Sequence, residues 1–248
     1  TPMRYAWTFH DEYLGAGSLK QRLARPVLSV LREWDRKVAQ RVDRFVAISA
    51  HVQQRIEKFY GREADVVYPP VDVDFYTPGA SDAERPFDLI VSALVPYKRV
   101  DLAVRAYARL GFPLKIVGAG TETEALRAVA GPNTEFLGWR SNEEIRDLYR
   151  ACRLLVFPGE EDFGIVPLEA QACGRPVVAY GRGGALETIL DGDTGIFFNE
   201  QTEAGLLAAV ERAAALPWRT SIIRRNAEQF GPQAYIDGLA KSILACLA

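Results

Sequence analysis

The sequence predicts an α/β protein whose larger part is a doubly wound parallel sheet, and three observations carry that prediction. From Phe87 onward short apolar runs alternate with helical stretches, the pattern of βαβ units. In the first of those stretches Val100, Ala103, Val104, Tyr107 and Leu110 fall on one face, as a helix laid on a sheet requires. Two helix starts carry the spacing of a capping box, Thr121 with Glu124 and Ser141 with Glu144, in which side chains satisfy the first turn's amides.

In chain order, a long helical stretch comes first, holding Leu28, Leu31, Val38 and Val42 among many Arg, Lys and Glu. Phe45–Ile48 reads as a strand, Ser49 as an N-cap, His51–Phe59 as a helix and Val66–Tyr68 as a second short strand before Pro69-Pro70. Two or three strands are too few to close a sheet comfortably. Gly79-Ala80-Ser81 and Arg85-Pro86 read as a hinge. Six strands follow, at Phe87–Val91, Leu114–Val117, Thr134–Leu137, Leu154–Phe157, Pro176–Ala179 and Gly195–Phe197. Helices are expected between them at Val100–Leu110, Thr121–Ala130, Ser141–Ala151, Val166–Cys173 and Ala185–Ile189, with Ala204–Ala215 outside. The tail from Trp218 reads as two helices broken near Phe230-Gly231-Pro232. The expected division is 1–80, 81–225 and a C-terminal helix at 226–248 that packs back on the N-terminal part.

Composition excludes several classes. A formal net charge of -2 over 248 residues argues against a nucleic-acid partner. Three scattered cysteines give no zinc spacing and suit a reducing compartment, so a cytoplasmic location is expected. The start at Thr1-Pro2-Met3 is not a signal peptide, and the chain reads as beginning inside a longer protein. Arg22, Arg25, Arg32, Arg36, Lys37, Arg41 and Arg44 make one segment basic. That segment is either a solvated helix or a contact for anionic lipid or a phosphate-linked acceptor.

The densest chemistry lies in Glu161-Asp-Phe-Gly-Ile-Val-Pro-Leu-Glu169. It follows the apolar run that ends in Phe157, which places Glu161 at the carboxyl edge of the sheet, where open α/β sheets hold their ligands. Lys98 and Arg99 follow the first strand of that sheet and can offer cations to an anion there. Glycine turns at Gly118-Ala119-Gly120 and Gly183-Gly184 admit close approach of a ligand. Gly118-Ala-Gly120 lacks the third glycine of a dinucleotide fingerprint.

With Leu94-Val-Pro-Tyr-Lys98-Arg99, Ile116-Val-Gly118-Ala-Gly120, Phe136-Leu-Gly138-Trp139 and Gly183-Gly184-Ala-Leu-Glu187 in that order, the chain resembles the retaining glycosyltransferases of family 4 (glycosyl transferases group 1). The resemblance implies a GT-B fold: one complete Rossmann-like parallel-sheet domain plus a truncated α/β N-terminal domain. It implies retaining transfer of a hexosyl group, mannosyl from GDP-mannose, to a hydroxyl of a glycan or lipid-linked acceptor. It implies no cofactor and no metal, and a missing N-terminal portion of the same polypeptide. Glu161 and Lys98 would be the catalytic pair, on the donor sugar and the diphosphate. Glu169 would hold the ribose, and Arg99 would be a second phosphate cation. Phe163, Gly164 and Ile165 would line sugar and phosphate, Gly183 and Gly184 would present amides, and Gly118, Gly120, Gly138 and Trp139 would border the nucleotide. Where the family pattern has an arginine before the lysine, this chain has Ala93. Neither His10 nor His51 stands at the position of the family's sugar-positioning histidine. A nucleotide-sugar-binding or epimerase-type protein of the same fold, without transferase activity, is the alternative.

Overall fold

The computed structural model describes residues 4–8, 19–79 and 84–247, so His10 and the Ala80-Ser81 part of the expected hinge lie outside the described residues. The chain divides into two compact units. One holds the described residues up to Tyr68 together with those from Tyr235 onward, and the other runs from Pro69 to Ala234. The boundary expected at residue 80 thus falls at Tyr68/Pro69, and residues 226–234 go with the larger unit.

In the smaller unit α1 (Arg4–Trp7) precedes the long α2 (Leu19–Ala39). Strands β1 (Phe45–Ala47) and β2 (Ala64–Val66) pair in parallel through the crossover helix α3 (Ala50–Tyr60). Val66–Tyr68 is therefore not the second strand: pairing ends at Ala47↔Val66, and the chain leaves the ladder as it nears Pro69. Helix α3 starts as the sequence requires, with the Ser49 hydroxyl accepting from Val52 N at 3.0 Å, a cap worth about 1 kcal/mol. Asp35 on α2 accepts from both Trp7 Nε1 and the Tyr60 hydroxyl, each at 2.7 Å. The last helix, α11 (Pro232–Leu247), is tied to β2 by Ser242, whose hydroxyl donates to Asp65 at 2.6 Å. The Arg44 fork, at 2.6 and 2.9 Å from the same carboxylate, holds Asp65 below the usual carboxylate range.

The larger unit contains β3 (Asp88–Val91), α4 (Val100–Leu110), β4 (Leu114–Val117), α5 (Thr123–Val129), β5 (Thr134–Gly138), α6 (Asn142–Ala151), β6 (Leu155–Phe157), α7 (Ile165–Ala172), β7 (Val177–Tyr180), α8 (Ala185–Thr188), β8 (Gly195–Phe198), α9 (Glu203–Ala215) and α10 (Thr220–Glu228). The six strands are parallel in the order β5-β4-β3-β6-β7-β8. Strand order reverses between β3 and β6, and ligands of such sheets bind outside the carboxyl ends at that point. The fully buried Leu89, Ile90, Leu114, Ile116, Leu154 and Val178 supply the sheet's share of the core. The Ser141–Glu144 capping box forms as expected. The Thr121–Glu124 box does not, because Thr123 bonds both N and O of Gly120 through its hydroxyl and the helix starts two residues late.

At the amino end of the sheet Asp88 is fully buried and accepts from Arg153 Nε at 2.9 Å, Arg153 Nη2 at 2.5 Å and the Tyr107 hydroxyl at 2.6 Å. Burial pushes its pKa up even against the Arg153 bonds. The guanidinium lies 3.9 Å from the Phe112 ring centroid, so β3, α4 and the entry to β6 meet at one ionic cluster. Buried Arg175 closes the end of α6 by donating to the carbonyls of Tyr149 (3.2 Å) and Arg150 (2.8 Å), oxygens that a helix end leaves without intrahelical partners. Replacing Asp88 by Ala strands the Arg153 cation, and the expected cost is about 3–5 kcal/mol. Tyr107→Phe leaves the ion pair intact and is expected to cost only about 1–2 kcal/mol. Urea denaturation of the two variants checks the order of these losses.

Candidate functional site

The site is built from the loops that follow β3 and β6. After β3 the chain makes a single 3-10 turn, Pro96–Lys98, and then passes through Arg99 at φ 52. Arg99 has the one positive φ outside glycine among the described residues, a conformation that costs a non-glycine residue about 1 kcal/mol or more. Its amide donates to Pro96 O at 3.1 Å. The left-handed step turns successive side chains apart. Lys98 Nζ pairs with Glu161 Oε1 and lies 5.3 Å from the Tyr97 ring centroid. Arg99 instead donates to Asp101 at 3.2 Å and to Gln201 at 2.8 Å. Gln201 in turn donates to Pro158 O at 3.0 Å, tying the two loops together.

The Lys98–Glu161 pair is partly buried, with side-chain exposures of 19% and 15%. It stands in a small concavity shared with Ser92 and Gly159 between the ends of β3 and β6. The loops touch closely there: a Cβ at Gly159 would come within 2.8 Å of Lys98 O. Glu161 also bridges in parallel to Gly183, and Gly184 N donates to Glu161 O at 2.8 Å. The Gly184 amide is thereby spent inside the fold, and α8 is only one turn long. What Gly183-Gly184 supplies is room for the Glu161 backbone, since a side chain at either position would run into Glu161 O or Phe163.

Phe163 is buried and packs on Phe230, with ring centroids 5.9 Å apart. Gly164, at φ 95, starts α7, so the chain turns directly from Glu161 into the amides of Ile165 and Val166. The first turn of α7 carries no acidic side chain. Its amides lack intrahelical acceptors, and the helix dipole favours an anion at this end.

Glu169 lies one turn further along α7. Its Oε2 accepts from the Tyr149 hydroxyl at 2.9 Å, and the Tyr76 ring stands edge to face on the Tyr149 ring with centroids 5.9 Å apart. Burial pushes Glu169 up to about 7, opposed by the Tyr149 and Tyr76 hydroxyls. No sequence spacing announces these tyrosines. Tyr149 ends α6 and Tyr76 stands in the loop after Pro69-Pro70, and only packing brings them to one carboxylate.

The remaining expected residues sit on the other side of β3. Gly118 donates to Gly138 O at 2.8 Å and Leu94 N to Ala119 O at 3.0 Å. Side chains at Gly118 or Gly120 would strike the backbone of Ser92 or Leu94, so both glycines serve the packing of the β3 and β4 loops. Gly138 ends β5 at φ 70, and Trp139 beside it is 77% exposed. These residues flank the Lys98 loop along the same sheet edge. Ala93 brings no charge to it.

The family model described as "Glycosyl transferases group 1" matches residues 77–233, and that described as "Glycosyltransferase Family 4" matches residues 1–75. A D-inositol 3-phosphate glycosyltransferase of Rhodococcus erythropolis is 29% identical over 242 residues, covering 84% of this chain and 55% of that protein. The protein of that name from Geodermatophilus obscurus is 32% identical over 244 residues, covering 85% and 54%. The chain thus spans about half the length of these curated relatives. Among solved structures, Anabaena Alr3699/HepE in complex with UDP and glucose superposes with a TM-score of 0.76 at 24% identity, covering 86% of this chain and 66% of that one. Sucrose-phosphate synthase from Thermosynechococcus elongatus gives 0.77 at 22%, covering 88% and 62%. The likeness is one of fold: two α/β units with parallel sheets, of the GT-B type.

Glu169 makes stability depend on pH. Its folded carboxyl titrates near 7 against an ordinary 4.5, so between those values the folded chain holds a proton that the unfolded chain has released. Stability should therefore fall as pH rises from about 4.5 to about 7, with the loss complete above that. Glu169→Gln should remove this decline, read as urea midpoints at about pH 5 and about pH 8.

Proposed function

The chain belongs to the family described as glycosyl transferases group 1, and from that premise we propose that its larger unit grips a nucleotide-diphosphate sugar for retaining hexosyl transfer to a glycan or lipid-linked hydroxyl. The observation that carries the reading is the Lys98–Glu161 pair at the point where strand order reverses, beside the amino end of α7. On binding, the diphosphate takes the Lys98 ammonium and the α7 amides, which stabilise charge as the glycosyl bond breaks. Glu161, released from Lys98, accepts hydroxyls of the donor sugar, and Glu169 accepts those of the ribose. The exposed Trp139 offers a face for the base. The leaving phosphate takes the acceptor proton on the face it departs from.

The donor we propose is GDP-mannose. A uridine donor is the second reading, favoured by the UDP and glucose held by a protein of the same fold. Ala93 and the engagement of Arg99 with Asp101 and Gln201 leave Lys98 as the principal phosphate cation. These 248 residues alone are accordingly expected to bind donor and to transfer slowly. Calorimetric titration of GDP-, UDP-, ADP- and TDP-sugars tests the reading. GDP-mannose should bind best, and Lys98→Ala should weaken it by roughly 10- to 100-fold. Binding of none of the four would sink the reading.

No helix among the described residues is long and apolar enough to cross a membrane. Helix α2 exposes Leu23, Val27, Val30 and Trp34 at helical spacing, with Arg25 and Lys37 on the same helix. This supports a cytoplasmic protein that touches the inner membrane face through α2. Vesicles rich in phosphatidylglycerol should sediment the protein at low salt, while pure phosphatidylcholine vesicles should not; equal behaviour of the two would refute the contact.

A further inference from the structure

The strongest unassigned feature is the pair of tyrosines that converges on Glu169. Tyr149 is 0% and Tyr76 7% exposed, and their rings stand edge to face with centroids 5.9 Å apart. The Tyr149 hydroxyl donates to Glu169 Oε2 at 2.9 Å, and the Tyr76 ring backs the Tyr149 ring that carries it. An ionised carboxylate offers about four acceptor sites, so the Tyr149 bond leaves others for a ligand.

Each tyrosine is anchored from behind. Arg175 donates to Tyr149 O, which fixes the end of α6. Arg224 on α10 donates to Tyr76 O at 3.0 Å, to Val73 O at 3.0 Å and to Ala172 O at 2.9 Å, holding the Tyr76 segment against the end of α7. Arg150 reaches from α6 to the residue after Tyr76, donating to Thr77 Oγ1 at 2.5 Å and to Thr77 O at 2.8 Å. Three guanidiniums thus set the positions of two phenols, and Tyr149, backed by Tyr76, sets one carboxylate.

We propose that Tyr149 and Tyr76 are positioning residues that aim the Glu169 carboxylate at the ribose diol of the nucleotide, so that ribose recognition depends on all three side chains. The inference rests on the reading of Glu169 as the ribose contact. Hydroxyl donation also favours the ionised acceptor form of a carboxyl that burial would otherwise protonate. A diol can only donate to the ionised form at both oxygens, so the phenols work against burial in the direction that the ribose needs.

The test compares the binding of GDP with that of 2′,3′-dideoxy-GDP, and of UDP with its dideoxy form, by calorimetry on the whole chain. The unaltered protein should prefer the ribose form by roughly 10- to 100-fold. Glu169→Gln should reduce that preference to a few-fold, and Tyr149→Phe and Tyr76→Phe should each reduce it by roughly 3- to 10-fold. Combined with Glu169→Gln, neither tyrosine change should lower it further. An unchanged preference in both tyrosine variants, with collapse in Glu169→Gln, overturns the proposal and leaves the ribose reading standing. A full preference in Glu169→Gln overturns the ribose reading itself. Thermal melts accompany each variant, and should Tyr149→Phe not fold, Tyr76→Phe carries the test.

Discussion

The larger unit depends on how closely its loops meet where the sheet changes direction. At the carboxyl ends of β3 and β6 the backbone of Gly159 lies against Lys98, and Gly183 and Gly184 lie against Glu161 and Phe163. These contacts leave no room for side chains, so the loops cannot drift relative to one another without opening voids in a close-packed interior. Lys98 and Glu161, distant by 63 residues in sequence, are brought together by that backbone packing. Gln201 reinforces it, accepting from Arg99 and donating to Pro158.

The two ends of the sheet use charge in opposite ways. At the amino end, Asp88 accepts from Arg153 and Tyr107, and the carboxylate is sealed from solvent. The cluster registers β3 against α4 and β6. At the carboxyl end, Lys98 and Glu161 keep some exposure and stand beside helix amides. Removing a partner from the sealed Asp88 is costly, whereas the partly buried Lys98–Glu161 pair has both members at a concavity and can trade partners. Structure and chemistry are thus segregated along the strand direction.

Much of this was legible in the sequence. The strands and helices of the larger unit follow from alternation and amphipathic period, and the Ser141 cap from one local spacing. Glu161 and Lys98 were legible because each lies in the loop after a strand, and strand ends define the sheet edge. What stayed hidden was settled by competition or by packing. Thr121 lost its capping role because Thr123 captures Gly120. Arg99 turned from the concavity because a left-handed residue precedes α4, which composition does not reveal. Tyr76 and Tyr149 could not be linked to Glu169 by any spacing, since the three come from separate elements.

The Lys98–Glu161 contact bears on what the proposed site must bind. In the free protein each charge is neutralised by the other. A diphosphate carries more negative charge than one carboxylate and also reaches the α7 amides, so it can win the ammonium. Its arrival leaves Glu161 without its cation and next to a new anion. That state is unfavourable unless hydroxyl donors reach Glu161 together with the phosphate. A nucleotide bearing a sugar supplies both at once, while a bare diphosphate supplies only the first. On this reading the pair does more than hold two groups: its mutual neutralisation makes a diphosphate that carries a sugar bind better than a bare one.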